Sequence, residues 1–282
     1  MKCFRKEKMT DYFDRIYNGK SCDIKKGLSL LYPELSYNEI NMLIRRRDVF
    51  INGQRKSHGD LAIGDNVSIF LKPDSIKLRV SFEDNNFIAI YKKKGLQSTG
   101  EFSFESFVNY KYSSDYILLH RLDTNTEGIL LFAKNQNYAD IMKKAMAEGM
   151  VKKHYYATVY GNLDKEKTLC LWLKKDSDKG IVKTFDKKTV GAELAETRII
   201  PLSRQNGNTL VEAIITKGKT HQIRASLAHI GHFILGDSKY GIDSINRKFG
   251  FSKQQLTAYK IVFDIKDYSK LSYLNGLEIE MQ

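Results

Sequence analysis

The stretch that decides the fold of this chain is LLHRLDTNTEGILLFAKN, residues 118–135. A polar, turn-rich loop at 120–128 lies between the apolar residues 117–119 and the apolar run 129–132. Apolar runs of this length are typical of buried strands, and polar loops held by such strands are common positions for catalytic groups. Asp123 in this loop is therefore a candidate functional residue, although a lone Asp in a loop most often serves as a turn or cap residue.

Further strands and helices are predicted on both sides of this stretch. Apolar and alternating patterns predict strands at 87–91, 128–133, 155–159, 210–215 and 261–265, and helical spacing predicts helices at 138–146 and 220–230. Strands and helices are mixed without a regular βαβ alternation. The sequence therefore predicts an α+β fold with a mixed, largely antiparallel sheet.

A smaller unit is predicted at the N-terminal end. Helical spacing of apolar residues predicts one helix at 23–31 and a second helix after it, and an alternating strand then leads into Asn52-Gly53, a dipeptide typical of tight hairpins. Basic residues cluster where the second helix meets the hairpin: Arg45, Arg46, Arg47 and Arg55. Guanidinium groups in such a cluster can bind phosphates in bidentate fashion, although a basic helix end also complements the helix dipole.

Composition narrows the class of protein. The chain has 282 residues, with Lys+Arg 46 against Asp+Glu 33 and a net charge of +13. A folded, strongly basic protein most often binds a polyanion, and RNA or DNA is the usual one. No apolar run approaches the ~18–20 residues of a membrane helix, and the N-terminal residues lack the apolar stretch of a signal peptide. We therefore expect a cytoplasmic protein without a membrane-spanning segment.

Two other kinds of site match single features of the sequence. Ala213, followed after four residues by 218–220 (Gly-Lys-Thr), fits a relaxed phosphate loop, but the first spacer residues continue a strand and the loop has one glycine. A nucleotide hydrolase is therefore disfavoured. The spacing of His221, His229 and His232 does not match helical zinc motifs, and the cysteines are scattered, so no metal is expected.

Residues 118–135 resemble the H-R-L-D signature of the RluA family of pseudouridine synthases, and three further blocks fall in the family's order. These blocks are FIAIYKKKGLQSTG at 87–100, KKHYYATVYG at 152–161 and TKGKTHQIRASLAHIGHFILGDSKYG at 216–241. The N-terminal unit resembles the S-four-like RNA-binding domain, a small α-L module, through LSYNEINMLIRRRDVFINGQR at 35–55 and LAIGDNVSIF at 61–70. The resemblance implies an S-four-like domain at 12–72, a linker at 73–79 and a catalytic domain of pseudouridine synthase type at 80–282.

The resemblance implies an enzyme that isomerises uridine in RNA to pseudouridine without a metal or cofactor. The base is detached from the sugar at nitrogen 1, turned, and rejoined through carbon 5. The matching positions imply that Asp123 is the nucleophile on a flipped-out nucleotide, that Arg224 is its ion-pair partner, and that Tyr155 stacks on the base or helps to deprotonate carbon 5. RNA or substrate contacts are implied for His120, Arg121, Ile223, Lys153, Lys219, His221, Arg45, Arg46, Arg47 and Arg55.

The expected partner is RNA, with large-subunit ribosomal RNA ahead of transfer RNA because family members with this N-terminal module often act there; a monomer is expected. A non-catalytic RNA-binding or ribosome-assembly factor with the same fold is the alternative. The chain departs from the family's pattern at Glu127, where Ser is common, and at Thr257, where His is frequent. A Glu127 carboxylate pointing into the site would oppose the ionisation of Asp123.

Overall fold

The computed structural model of the chain describes residues 12–33, 35, 37–70, 78–100, 103–112 and 114–281. It divides into two compact units: the described residues of 1–79 and 92–116 form the first, and those of 80–91 and 117–282 form the second. Among these residues, no helix is long and apolar enough to span a membrane. The greater part of the predicted linker, 73–77, lies outside the described residues.

The first unit combines helices with two small sheets. Its elements are β1 (Tyr12–Ile16), β2 (Cys22–Asp23), α1 (Ile24–Leu31), α2 (Tyr37–Arg46), β3 (Val49–Ile51), β4 (Gln54–Arg55), β5 (Asp60–Leu61), β6 (Asn66–Phe70) and α3 (Phe104–Tyr112). Strands β1, β6, β3 and β4 are neighbours in one sheet, and β2 pairs with β5. The predicted two helices and hairpin are present, and Asn52 and Gly53 take positive φ values of 50° and 76°, as a tight Asn-Gly hairpin requires.

Helix α3 belongs to the core of the first unit. Its Phe107 and Tyr110 are buried in one apolar cluster with Tyr32, Ile40 and other residues of the N-terminal helices and strands. The sequence prediction assigned the surrounding segment, 92–116, to the second domain because strand-rich sequence begins near residue 80. The structure differs because the apolar face of α3 packs into the N-terminal core.

The second unit is built on one large sheet with helices beside it. Its elements are β7 (Val80–Glu83), β8 (Phe87–Lys92), β9 (Ile117–Leu118), β10 (Glu127–Ala133), α4 (Gln136–Ala147), β11 (Val151–Tyr160), β12 (Lys167–Asp176), β13 (Ile181–Phe185), β14 (Glu193–Gln205), β15 (Asn208–Ile215), α5 (Gln222–His229), α6 (Asp243–Lys248), β16 (Leu256–Phe263), a 3-10 helix (Ser269–Leu274) and β17 (Glu278–Glu280). The sheet order is β13-β12-β14-β15-β11-β16-β10-β8-β7, with β17 paired to β16 and β9 paired to β10. Strands β11 to β16 pair with one another antiparallel, whereas β10 and β16 run parallel. The predicted α+β class with a mixed, largely antiparallel sheet is confirmed.

The structure differs from the sequence prediction in several elements. Strands β12, β13 and β14 were not predicted, because charged side chains on their exposed faces interrupt the apolar alternation. The predicted helix at 220–230 is shorter, since α5 begins at Gln222. The residue before it, His221, has a φ of 52° and no side-chain cap hydrogen bond. This left-handed backbone is not helical, so the helix cannot begin before Gln222.

Gly128 fixes the end of the loop that contains Asp123. It pairs in parallel with Ala258, and its φ of +131° lies in the region that favours glycine. A Cβ atom at this position would lie 2.1 Å from the carbonyl oxygen of Ala258, which is a backbone atom and has no rotamer to move to. The close approach of β10 and β16 therefore requires glycine.

We expect Gly128→Ala to lower the free energy of unfolding by about 3 kcal/mol or more, because the methyl group forces two backbone segments apart. Gly207→Ala is the matched control: its φ is +74°, but no described atom lies within 4 Å of a Cβ built there. Only backbone strain of about 1–2 kcal/mol applies to the control. Urea unfolding measures both losses, and equal losses would contradict the steric explanation.

Candidate active site

Seven of the predicted residues line one cavity of about 180 Å³ in the second unit. They are Arg121, Asp123, Tyr155, Lys219, His221, Ile223 and Arg224. They come from the loop before β10, from β11, and from the segment that leads into α5. The fold thus brings together side chains that lie about a hundred residues apart in the chain.

The loop between β9 and β10 presents Asp123 to this cavity. The side chains of Leu122 and Thr126 are buried on either side of it. The Thr126 amide donates a hydrogen bond to the Asp123 carbonyl at 3.0 Å, and Gln254 Nε2 donates to the Thr126 hydroxyl at 2.8 Å. These contacts hold the loop, while the Asp123 side chain remains 20% exposed at the cavity wall.

The predicted ion pair between Arg224 and Asp123 is present. Arg224 Nη1 donates to Asp123 Oδ2 at 2.7 Å, and the Arg224 side chain is 7% exposed. Its Nε and Nη2 donate to the two carboxylate oxygens of Asp237 at 2.7 and 2.9 Å. Burial disfavours the charge, but the hydrogen bonds to Asp237 and Asp123 raise the pKa of Arg224 above its ordinary value. Asp123 therefore faces a permanent cation.

Tyr155 and apolar side chains form the opposite part of the cavity. Tyr155 lies on β11, and burial together with the negative charge of Asp123 raises the pKa of its phenol well above the ordinary value. The phenol is therefore neutral at physiological pH and keeps a hydroxyl proton. Ile215, Ile223 and Leu256 are each 4% exposed and add apolar surface. A flat ring beside apolar side chains suits the binding of a planar base.

His221 approaches the same carboxylate from the start of α5. Its Nε2 lies 3.8 Å from Asp123 Oδ2, and its Nδ1 lies 2.9 Å from the Tyr240 hydroxyl. The Val182 amide donates to that hydroxyl at 2.6 Å. The hydroxyl therefore donates its own hydrogen to His221 Nδ1, and the hydrogen of the neutral ring is assigned to Nε2. Burial and the charge of Arg224 lower the pKa of His221, so the ring is a neutral donor.

Arg121 and Lys219 lie at the rim of the cavity. Arg121 is exposed, and Lys219 is 33% exposed and forms an ion pair with Glu193. The Lys219 amide donates to Gln222 Oε1 at 3.1 Å, and Gln222 Nε2 donates to the Glu196 carbonyl at 2.7 Å. This turn is tied to β14 through Gln222, which disfavours the phosphate-loop interpretation because the Lys219 amide is already engaged.

The structure does not bring His120 and Lys153 to the cavity wall, and their contact with RNA or substrate stays a prediction. Lys153 is 4% exposed, and its Nζ donates to the Thr216 carbonyl at 2.9 Å. His120 Nε2 accepts a hydrogen bond from the Leu131 amide at 3.2 Å, and burial together with the charge of Lys153 lowers the pKa of His120 to about 3. Both side chains turn inward and support the strands instead.

The predicted arginines of the N-terminal unit lie together on the surface of the first unit. Arg45 and Arg46 form the last turn of α2, and Arg47 follows with a φ of 59°. The Arg55 guanidinium stacks over the Phe50 ring at 5.1 Å on the hairpin that comes next. All four side chains are exposed, as a surface that binds phosphates requires.

Two departures from the family pattern, Glu127 and Thr257, contact each other. Glu127 and Thr257 are register partners in the parallel pair of β10 and β16. The Thr257 hydroxyl donates to Glu127 Oε1 at 3.2 Å, and the Tyr91 hydroxyl donates to Oε2 at 2.8 Å. The Glu127 carboxylate is therefore held by neighbouring hydroxyls and does not line the cavity of Asp123.

Sequence reasoning missed several side chains that support the site. Asp237 and Tyr240 lie in the G-D-x-x-Y-G end of the block 216–241 but received no role, and they contact Arg224 and His221. The signal that could have identified Asp237 is an acid two residues after a buried apolar run, within a turn rich in glycine. Among the described residues, no three His, Cys, Asp or Glu side chains are placed to hold a metal ion.

This arrangement can support nucleophilic and proton-transfer chemistry on a planar ring. Arg224 donates to the Asp123 carboxylate, and this cation favours the ionised form of the carboxylate, while His221 Nε2 lies 3.8 Å from the same oxygen. Tyr155 supplies a neutral hydroxyl within the same cavity. The exposed Arg121 and Lys219 at the rim add positive charge where a phosphate backbone would pass.

Comparisons with known proteins agree with this chemistry. The family described as RNA pseudouridylate synthase matches residues 86–229. An uncharacterized RNA pseudouridine synthase of Helicobacter pylori is 32% identical over 244 residues, which cover 84% of this chain and 93% of that protein. The ribosomal large subunit pseudouridine synthase C of Rickettsia bellii is 30% identical over 279 residues, which cover 88% of this chain and 91% of that protein.

A solved structure shares the fold. Human RNA pseudouridylate synthase domain containing 1 superposes with a TM-score of 0.61 at 19% sequence identity, over 73% of this chain and 83% of that chain. At this identity the likeness concerns the fold alone. It confirms the predicted pseudouridine synthase type of sheet.

We expect the buried Lys153 to make stability depend on alkaline pH. Burial lowers its pKa from 10.5 to about 8, so between these values the unfolded chain holds a proton that the folded chain has released, and the free energy of unfolding rises with pH. The rise due to Lys153 is about 3 kcal/mol. Urea unfolding between pH 7.5 and 10.5 should show it in wild type relative to Lys153→Met.

Lys152→Met is the control for this measurement, since the Lys152 side chain is 43% exposed. This variant should follow the wild-type pH dependence. A difference in the free energy of unfolding between wild type and Lys153→Met that stays constant across this pH range would contradict the lowered pKa of Lys153.

Proposed function

Because this chain belongs to the RNA pseudouridylate synthase family and is therefore an RNA-modifying isomerase, we propose that it converts uridines of large-subunit ribosomal RNA to pseudouridine with Asp123 as nucleophile. The observation that carries the proposal is the ion pair of Asp123 with the buried Arg224 in a cavity that Tyr155 also lines. Relatives named as large ribosomal subunit synthases, from Rickettsia and Buchnera, support the choice of RNA.

The carboxylate of Asp123 is suited to nucleophilic attack. A carboxylate needs to be ionised to act in this way, and the adjacent Arg224 cation favours that form. Within the described part of the chain, its side-chain hydrogen bond is made by Oδ2. In this proposal Oδ1 attacks carbon 1′ of the ribose, and the base leaves with the electron pair of the broken bond to nitrogen 1. After the base has turned, carbon 5 bonds to carbon 1′ and the Asp123 carboxylate is released.

Tyr155 is suited to the last step of this reaction. After carbon 5 is joined to the sugar, its proton has to leave, and the neutral Tyr155 hydroxyl can relay it by passing its own proton on to a base such as the released Asp123 carboxylate or water. The ring of Tyr155 stacks on the flipped-out base during this step, while Ile223 provides the apolar wall. In this proposal Arg121, Lys219 and His221 contact the RNA around the flipped nucleotide.

The first unit binds RNA in this proposal as an S-four-like domain at 12–72. The support is the order of two helices and a hairpin with Arg45, Arg46, Arg47 and Arg55 exposed at their junction. Because the chain is an isomerase by family, the non-catalytic alternative is set aside. No feature of the site favours it, since Asp123 and Arg224 are both present and paired.

Asp123→Asn is expected to reduce product formation at least ~10³-fold, because the amide is no nucleophile. The assay measures tritium release from RNA labelled at carbon 5 of uridine, with RNA from cells that lack the protein. Asp140→Asn makes the same chemical change at an exposed position of α4 and should retain full activity. Release by Asp123→Asn above one tenth of wild type would overturn the role of Asp123. Release from transfer RNA and none from large-subunit RNA would overturn the target.

The double variant Arg46→Gln, Arg47→Gln is expected to weaken RNA binding at every sequence. The slope of log affinity against log salt concentration should become shallower by about 1 for each lost phosphate contact. The matched control is Lys25→Gln, Lys26→Gln, which removes equal charge from exposed positions of α1. Filter binding across a salt series measures both, and equal slopes for the two double variants would count against a phosphate contact at the α2 end.

A further inference from the structure

A second, fully buried carboxylate lies behind the catalytic ion pair. Asp237 follows the buried residues Ile234 and Leu235, and its own exposure is 0%. Its Oδ2 accepts from Arg224 Nε at 2.7 Å and its Oδ1 accepts from Arg224 Nη2 at 2.9 Å. The backbone amides of Lys239 and Tyr240 donate to the same Oδ1 at 2.9 and 3.2 Å. This carboxylate is completely satisfied without contacting the cavity.

The two bonds to Asp237 decide where the rest of the guanidinium points. A guanidinium is planar and rigid, so fixing Nε and Nη2 fixes the direction of Nη1 as well. That remaining nitrogen is the one that donates to Asp123 Oδ2 at 2.7 Å. The Tyr240 ring, 5.2 Å from the Arg224 Cζ, covers one face of the group. Arg224 therefore has one orientation available.

The turn that carries Asp237 is itself rigid. The Gly241 amide and Asn246 Nδ2 both donate to the Asp237 carbonyl, at 3.1 and 3.4 Å. A Cβ on Gly236 would lie 2.1 Å from the Lys253 carbonyl oxygen, and one on Gly241 would lie 2.4 Å from that of Asp237. The backbone is packed against its surroundings on both sides, so the Asp237 carboxylate is held still relative to α5.

Asp237 also sets the charge of the site. Arg224 with Asp123 alone would form a neutral pair, and with Asp237 the three groups carry one net negative charge. The arginine cation is then shared by two carboxylates, so Asp123 is held without being fully neutralised. An ionised carboxylate whose charge is only partly offset by its counterion is the better nucleophile.

We infer that Asp237 is a positioning residue of this active site, which orients the Arg224 guanidinium toward Asp123 and offsets its charge so that Asp123 stays reactive. The inference rests on the proposed function, since it assumes that Asp123 is the nucleophile.

The test compares wild type with Asp237→Asn, which keeps the shape of the side chain and removes its charge. Losing this negative charge leaves the Arg224 cation wholly to Asp123, so the Asp123 carboxylate should be more fully neutralised and less nucleophilic than in wild type.

The contact of Asp123 with Arg224 is read from the NMR resonance of the Asp123 carboxyl carbon at one fixed pH, with the resonance assigned through Asp123→Asn. Tritium release gives kcat and KM in parallel. The expected result for Asp237→Asn is a loss of about 100-fold in kcat with KM within threefold of wild type, together with a displaced Asp123 resonance. Wild-type kcat would overturn the inference, and so would a reduced kcat with an unchanged Asp123 resonance.

Asp84→Asn is the matched control. Asp84 also lies in a turn of the second unit and accepts from two backbone amides, those of Asn86 and Phe87, at 2.7 and 2.6 Å. This variant weakens comparable hydrogen bonds away from the cavity and should leave both kcat and the Asp123 resonance as they are in wild type. A purely structural role for Asp237 predicts that the two variants behave alike.

Asp237→Glu keeps the inference testable if Asp237→Asn does not fold. The charge is retained and displaced by one methylene, so kcat should fall at least tenfold while the Asp123 resonance moves less than it does in Asp237→Asn. Unchanged kcat in this variant would overturn the inference. The NMR resonance reports on Asp123 even if Asp123→Asn proves active, so failure of the proposed nucleophile and failure of this inference give different results.

Discussion

The guanidinium of Arg224, bonded to one carboxylate on each side, is the interaction on which the active site depends. Burying a cation costs several kcal/mol unless it is paired and its donors are used. Here Nε and Nη2 bind Asp237 and Nη1 binds Asp123, so the buried cation has good partners in both directions. Because Asp123 and Arg224 are 101 residues apart in the chain, this cluster joins the candidate catalytic loop to α5.

The sheet makes that joining possible. Parallel pairing of β10 with β16 at Gly128 brings the end of the Asp123 loop against Ala258 with no room for a side chain. Strand β11 pairs with both β15 and β16 and places Tyr155 beside them. Gln222 ties the start of α5 to β14. The cavity therefore has walls of regular structure, which is the usual way that reactive groups are held in register.

Arginine has two different physical uses in this chain. Arg224 is buried, binds Asp237 through two nitrogens and is fixed in one orientation. Its use is to hold one donor nitrogen in a defined position against Asp123. Arg45, Arg46 and Arg47 are exposed at the end of α2. In the proposed function their charges attract RNA phosphates, and their flexible side chains can adapt to the positions of those phosphates. The first use is set by packing, whereas the second needs only surface position and net charge.

The sequence by itself determined the features that depend on local signals. Helical spacing and Asn52-Gly53 predicted the two helices and hairpin of the first unit, since a turn dipeptide with positive φ acts over a few residues. The blocks 87–100, 118–135, 152–161 and 216–241 predicted the fold class and the family. They could do so because a catalytic site needs particular residue types at particular spacings. The pairing of Asp123 with Arg224 was anticipated on the same ground.

Tertiary structure alone decided which polar side chains face the cavity. His120 and Lys153 have the right chemistry, yet they turn inward to the Leu131 amide and the Thr216 carbonyl. Asp237 gave no sign of its contact with Arg224, and α3 packs in the first unit despite its place in the chain. The physical reason is that inward or outward direction follows from strand register and from packing between distant segments, which no local pattern encodes.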